Sequence, residues 1–228
     1  MNHYVYIVVT FWASIMAEPI LRDDIEYVVH CDEEGKIIGP LSKAHAHLPG
    51  PRQVLTHHST WGMMFHPKSG KYGIQFKNPK KKDKLGAGRW DTSVGGHNCY
   101  IKDKDGYRLM NFKETLVKEA DEEIGLQVQI IDSVQEFVKL SQQLFKNPLA
   151  FIFEQFHYKT EHNNEFIGLA FIITPTTTVE FKDGEVVEFK WLTPKELEKY
   201  LKNEVNYCHP LLLAFEKAEK FRKKYLYP

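Results

Sequence analysis

KEADEEIGL, residues 118–126, ends a run from Phe112 to Ile124 in which Leu116, Ala120 and Ile124 recur every four residues. That spacing puts three apolar side chains on one side of a helix, and Gly125 stands where a left-handed C-terminal cap is expected. Glu119, Glu122 and Glu123 fall at i, i+3 and i+4, so three carboxylates share a face. Each like-charge pair costs on the order of 0.2–0.5 kcal/mol, a penalty that Mg²⁺ or Mn²⁺ reverses by accepting carboxylate oxygens. A solvated glutamate-rich face has the same pattern, so the trio alone leaves both readings open.

Working outward, residues 25–39 read as a β-hairpin about the turn Glu33-Glu34-Gly35-Lys36. Residues 59–65 and 72–76 form a strand pair about His66-Pro67-Lys68-Ser69-Gly70-Lys71. After the helix, the apolar runs 128–131, 149–156, 166–173 and 186–191 read as strands. Thr193-Pro194 then opens a helix to Leu201, with a hydroxyl cap and proline in the first turn. His209 to Tyr225 closes the chain as an amphipathic helix. No internal repeat or low-complexity linker interrupts this order, so residues 18–228 are read as one α+β domain.

The composition is that of a soluble globular chain, 43% hydrophobic and 26% charged. Lys plus Arg equals Asp plus Glu at 30 each, so no global field recruits a nucleic-acid polymer or an anionic membrane, and any polyanion site is local. Cys31, Cys99 and Cys208 lack CxxC spacing, which argues against a disulfide framework or zinc knuckle and for a reducing, cytoplasmic setting. Residues 4–17 are nearly free of polar side chains but fall short of the roughly 20 residues of a stable span. They read as an upstream extension ahead of Met16, a signal or anchor lacking its positive n-region, or a buried strand.

Residues 118–126 resemble the second half of the Nudix box, whose family pattern is GX5EX7REUXEEXGU with U aliphatic. Trp90-Asp91-Thr92-Ser93-Val94-Gly95-Gly96-His97 resembles the strand and glycine pair that enter the box, and residues 185–197 resemble the strand and helix that close many such domains. The resemblance implies a mixed β-sheet sandwiched between helices, a divalent metal on Glu119, Glu122 and Glu123, and a phosphoanhydride substrate. Two departures stand out. The family's first glutamate falls at Met110 and its glycine at Lys104, because the segment from Asn98 to Asn111 is longer by roughly eight residues. The family arginine is Lys118.

The order of features looks most like the branch holding isopentenyl-diphosphate isomerases and their hydrolase relatives. The isomerases carry a protonating cysteine immediately before the Gly-His pair; here that position is Gly95, and Cys99 lies past His97. Their metal histidines align with His45 or His47, His57 or His58, and His97, and their later acidic pair with Asn163 and Glu165. The resemblance therefore implies a small-molecule diphosphate substrate, a metal set of Glu119, Glu122, Glu123 and His97, and substrate contacts from Gly95, Gly96, Lys81 and Glu165. Lys80, Lys81 and Lys82 suit phosphate oxygens as mobile point charges, although such runs are also ordinary solvated loops. The reaction expected is Mg²⁺-dependent (or Mn²⁺-dependent) hydrolysis, with a glutamate taking the water proton. An isomerase and a noncatalytic diphosphate-binding module are the alternatives. Exchanging Glu122 or Glu123 for glutamine is expected to remove ligand charge while leaving the fold intact.

Overall fold

The computed structural model describes residues 21–81, 86–203 and 206–226. The apolar run 4–17 lies outside the described residues. The chain opens with the hairpin β1 (Tyr27–Cys31) and β2 (Ile37–Ser42), followed by two single-turn helices, α1 (Lys43–Ala46) and α2 (Pro51–Val54). The long strand β3 (His57–His66) turns into β4 (Lys71–Lys77), and short β5 (Trp90–Asp91) leads to β6 (Val94–His97). A hairpin, β7 (Tyr100–Asp103) and β8 (Gly106–Leu109), precedes the acidic helix α3 (Phe112–Ile124). Then come β9 (Gln129–Ile130), α4 (Val134–Ser141), β10 (Leu149–Lys159), β11 (Asn164–Ile173), β12 (Val186–Leu192), α5 (Pro194–Asn203) and α6 (His209–Tyr225).

The main sheet runs β12-β4-β3-β11-β10-β9, with β1, β2, β5 and β6 attached at its centre. It is mixed: β3 pairs parallel with β11, and β9 parallel with β10, while the other pairs are antiparallel. Strands β3 and β11 are buried along nearly their whole length because both their faces are covered. Trp61, Met63 and Phe65 of β3, with Ile167, Leu169, Phe171 and Ile173 of β11, enter one core beside Phe137 of α4 and Phe215 and Phe221 of α6. The intervening Met64, Ala170 and Ile172 enter a second core beside Leu116, Ala120 and Ile124 of α3. Strand alternation thus sandwiches the sheet between α3 and the remaining long helices.

Helix α3 is fixed at both ends. Asn111 caps it, its side chain accepting from Lys113 N (2.9 Å) and Glu114 N (3.0 Å), while Glu114 returns a bond to Asn111 N. This is a capping box with asparagine as its first member. Gly125 takes φ 70° and closes the C-terminus; its N–H and that of Leu126 bond back to Asp121 and Ala120, satisfying carbonyls otherwise left open.

The segment from Asn98 to Asn111, expected as a lengthened loop, is instead the β7–β8 hairpin. Lys102 Nζ bonds Asp23 (2.7 Å), Tyr107 Oη donates to the same carboxylate, and Arg108 bonds Glu114 (2.8 Å). At its base, buried Asn98 accepts from Thr60 Oγ1 (2.9 Å) and donates to the Met110 carbonyl (3.2 Å). The extra residues therefore form an anchored wall and leave the start of α3 undisturbed. Among the described residues, no helix is long and apolar enough to cross a membrane.

Candidate active site

A pocket of about 600 Å³ opens where α3, β6, the β10–β11 turn and the start of α6 meet. That volume lies in the usual range for small-molecule sites. Gly95, Gly96, His97, Glu119, Glu122 and Glu165 line it, and Lys81 faces it from beside Glu185, 3.3 Å away. Seven of the eight residues singled out in the sequence thus share one cavity. The eighth, Glu123, lies beneath it, its side chain 1% exposed.

The three glutamates on the acidic face of α3, Glu119, Glu122 and Glu123, have different surroundings. Glu122 is half-exposed and takes a bond from Lys118 Nζ (2.5 Å), which also reaches Glu119 (3.1 Å). Lys118 therefore shares one positive charge between two carboxylates. Glu119 lies against Gly96, where an added Cβ would sit 2.4 Å from the Glu119 Cδ. The glycine is what lets the carboxylate approach the strand. Burial, reinforced by the charge of Glu123, pushes the Glu119 pKa up to about 7. Glu123 receives Lys77 Nζ on one oxygen, and Gln75 Nε2 (3.1 Å) and Gly95 N (3.0 Å) on the other. Burial opposes the Lys77 charge, but Glu123 and Asp91 outweigh it and hold its pKa above the ordinary lysine value.

His97 joins His47 and His57, members of the histidine set that the isomerase resemblance implies, rather than the glutamates of α3. Its Nε2 lies 3.2 Å from His47 Nε2, and the ligand atoms of His47, His57 and His97 all fall within 4.8 Å of one another. Among the described residues this is the set of three or more potential ligands that converges; the α3 glutamates do not join it. Glu165 Oε1 stands 3.9 Å from both His57 Nε2 and His97 Nε2. Sheet register explains the gathering: His57 and Glu165 are direct partners across β3 and β11, and His97 pairs with Ser59, two residues along β3.

Strand alternation separates His57 from His58, and the end of α1 separates His47 from His45. His57 points to the cluster, whereas His58 points to the opposite face, bonds the Gly35 carbonyl (2.9 Å) and packs against Phe112 and Phe166. At the end of α1, His47 enters the cluster and His45 does not.

The His47–His97 pair has the spacing of two ligands on one metal. Two nitrogens each about 2.0–2.1 Å from one tetrahedral ion would be roughly 3.3–3.4 Å apart, close to the observed 3.2 Å. His57 Nε2 is buried and has no hydrogen-bond partner, an expense that a cation would relieve. Burial, then the neighbouring His47, holds the His57 pKa down to about 3, and burial with His57 and His47 lowers that of His97. His57 and His97 are therefore neutral, the form that coordinates metal. Glu165 is pushed up to about 7 by burial, against a bond from Ser59.

Two thiols reach the pocket by routes the sequence hid. Cys99 follows the cluster strand and contacts Glu26 (3.5 Å) and the His97 carbonyl (3.3 Å). Cys208, remote in sequence, is carried in by its N–H bond to the Trp90 carbonyl (2.8 Å), which joins the start of α6 to β5. Burial, with Glu26 adding to it, pushes the Cys99 pKa up to about 12; burial and Asp91 raise that of Cys208. Both thiols are held protonated.

No protein-family model matches the chain, and no curated protein matches it. Among solved structures it is similar to DR0079 from Deinococcus radiodurans, with TM-score 0.53 and 17% identity over 88% of this chain and 99% of that one. It is also similar to a MutT protein from Methanosarcina mazei Go1 (TM-score 0.47, 17% identity, 72% of this chain and 94% of that one). A third is a NUDIX-family hydrolase from Clostridium perfringens (TM-score 0.44, 17% identity, 75% of this chain and 98% of that one). The likeness is one of architecture, and the architecture is the α+β Nudix fold.

Proposed function

We propose that the chain is a divalent-cation-dependent pyrophosphohydrolase that cleaves the diphosphate linkage of a nucleotide or a smaller organic diphosphate. The observation that carries this reading is the Glu119 carboxylate packed on Gly96 at the floor of the pocket, beside Glu122 and above Glu123. When bound, a divalent cation would neutralise the diphosphate and polarise a phosphorus centre. Glu119, Glu122 and Glu123 would hold it. The oxygen-rich α3 set suits Mg²⁺ or Mn²⁺, whereas three imidazoles and Glu165 suit a softer first-row ion. The histidine cluster thus adds a second candidate metal set, and His97 moves to it from the glutamate set.

The protein's own groups account for the remaining steps. Lys81, Arg89 and Lys43 bring positive charge to the pocket wall, where phosphate oxygens would lie. Glu165, whose pKa burial pushes up to about 7, is matched to take the proton of an attacking water. Water adds to phosphorus, the bridging P–O bond breaks, and the two products each leave with a phosphate group.

A second reading, an isomerase of isopentenyl-diphosphate type, is favoured by the histidine cluster and by Cys99 and Cys208 at the pocket wall. Gly95 occupies the position of the isomerase cysteine, and an added Cβ there would meet Thr92 Oγ1 at 3.2 Å. A panel of nucleotide and isoprenoid diphosphates, assayed with Mg²⁺ or Mn²⁺, separates the readings. Phosphate-bearing products are expected from at least one member, and no conversion of isopentenyl diphosphate to its allylic isomer. Isomer formation that disappears in Cys99→Ala or Cys208→Ala would restore the isomerase. Binding without turnover of any member would leave a noncatalytic module.

A further inference from the structure

We propose that Lys77 is a built-in placeholder cation: its ammonium neutralises Glu123 in the metal-free protein, and a divalent cation reaches that carboxylate by displacing it. This rests on the reading that the α3 glutamates hold a metal.

The side chains of Lys77 and Glu123 are 6% and 1% exposed, so the pair is shielded from water. Both Glu123 oxygens are engaged, one by Lys77 and the other by Gln75 Nε2 and Gly95 N. The remaining acceptor position lies on the oxygen that holds Lys77, and a dication there would sit against the ammonium and repel it. The Gly95 amide is part of β6 and cannot leave without opening the sheet. Lys77 has a flexible four-carbon stem, and its charge is redundant once a dication arrives.

Lys77 also has somewhere to go. It lines the pocket, where the carboxylates of Asp91 and Glu185 already act on its charge. The arrangement repeats on the outer side of α3, where Lys118 serves Glu119 and Glu122. Glu119, Glu122 and Glu123 thus each have an ammonium partner before metal binds. The two lysines differ in their access to water: Lys118 is 41% exposed, so its pairs are screened and exchange readily, whereas the Lys77 pair is not.

Mn²⁺ titrated into the wild type, Lys77→Met, Lys118→Met and Glu123→Gln by calorimetry, with the unfolding midpoint followed against Mn²⁺, tests the proposal. Lys77→Met is expected to tighten the Glu123-dependent site tenfold or more, about 1.4 kcal/mol, and to gain more thermal stability from Mn²⁺ than the wild type. Lys118→Met is expected to change affinity less. A purely structural Lys77 predicts equal or weaker Mn²⁺ binding in Lys77→Met, and that result overturns the placeholder alone. Should Lys77→Met be unfolded without metal, folding on addition of Mn²⁺ supports the proposal and failure to fold at any Mn²⁺ concentration overturns it. Mn²⁺ binding unaltered in Glu123→Gln would instead remove Glu123 from the metal set, and with it the reading on which the proposal stands.

Discussion

Glu122→Gln and Glu123→Gln are each expected to lower turnover by about a hundredfold or more, the scale seen when a preorganised electrostatic group is removed from an active site, but only the second is expected to lower stability. Glu122 is half-exposed and bonds Lys118 at the protein surface, so its exchange for glutamine should leave the unfolding midpoint nearly unchanged. Glu123 is buried against Lys77, and glutamine there leaves an ammonium without its counter-charge. Breaking such a pair on one side costs roughly 3–5 kcal/mol, on the order of 10 °C in a domain of this size. The sequence alone led to an intact fold for both variants; the buried lysine is the reason they part. Steady-state kinetics and thermal unfolding on the two proteins check this, and undiminished activity in both would remove α3 from the site.

Gly96→Ala is expected to be nearly as damaging to turnover, because the new methyl group would lie 2.4–2.6 Å from three atoms of the Glu119 side chain. Glu119 must move away from the strand, and a shift of about 1 Å in a catalytic group can cost a hundredfold in rate. Overpacking of this kind also costs about 1–3 kcal/mol in stability. Gly95→Ala is the control: its Cβ meets only Thr92 Oγ1 closely, at 3.2 Å, so a smaller loss is expected. Full activity in Gly96→Ala would mean that the Glu119 carboxylate has no role in the reaction.

The acidic helix was legible because every local signal agreed: apolar spacing, three carboxylates on one face and a glycine stop, all found from Phe112 to Ile124. The final helix, His209–Tyr225, was legible for the same reason. The β7–β8 hairpin was read as a loop, although Asp105-Gly106 is a turn signal in sequence and Gly106 takes φ 122°. Helix α4 also went unread, despite the Ser133 cap that bonds Glu136 N at 3.1 Å.

The histidine cluster could not be assembled by local reasoning. It depends on the parallel register of β3 with β11, which sets His57 beside Glu165 across more than a hundred residues of chain. Choosing His57 over His58 needed only the alternation of β3, but its inward face was not known until that pairing was seen. Cys208 illustrates the same limit, since two backbone bonds between Trp90 and residues 206 and 208 bring the thiol to the pocket.

Hydrolysis in water enriched in heavy oxygen tests the central claim most directly. A diphosphate turned over by the chain with Mg²⁺ or Mn²⁺ is expected to yield two phosphate-bearing products, with one heavy oxygen atom per cleavage in one of them, visible by phosphorus NMR and mass spectrometry. Intact diphosphates across the panel, or an allylic isomer formed without phosphate release, would contradict the account.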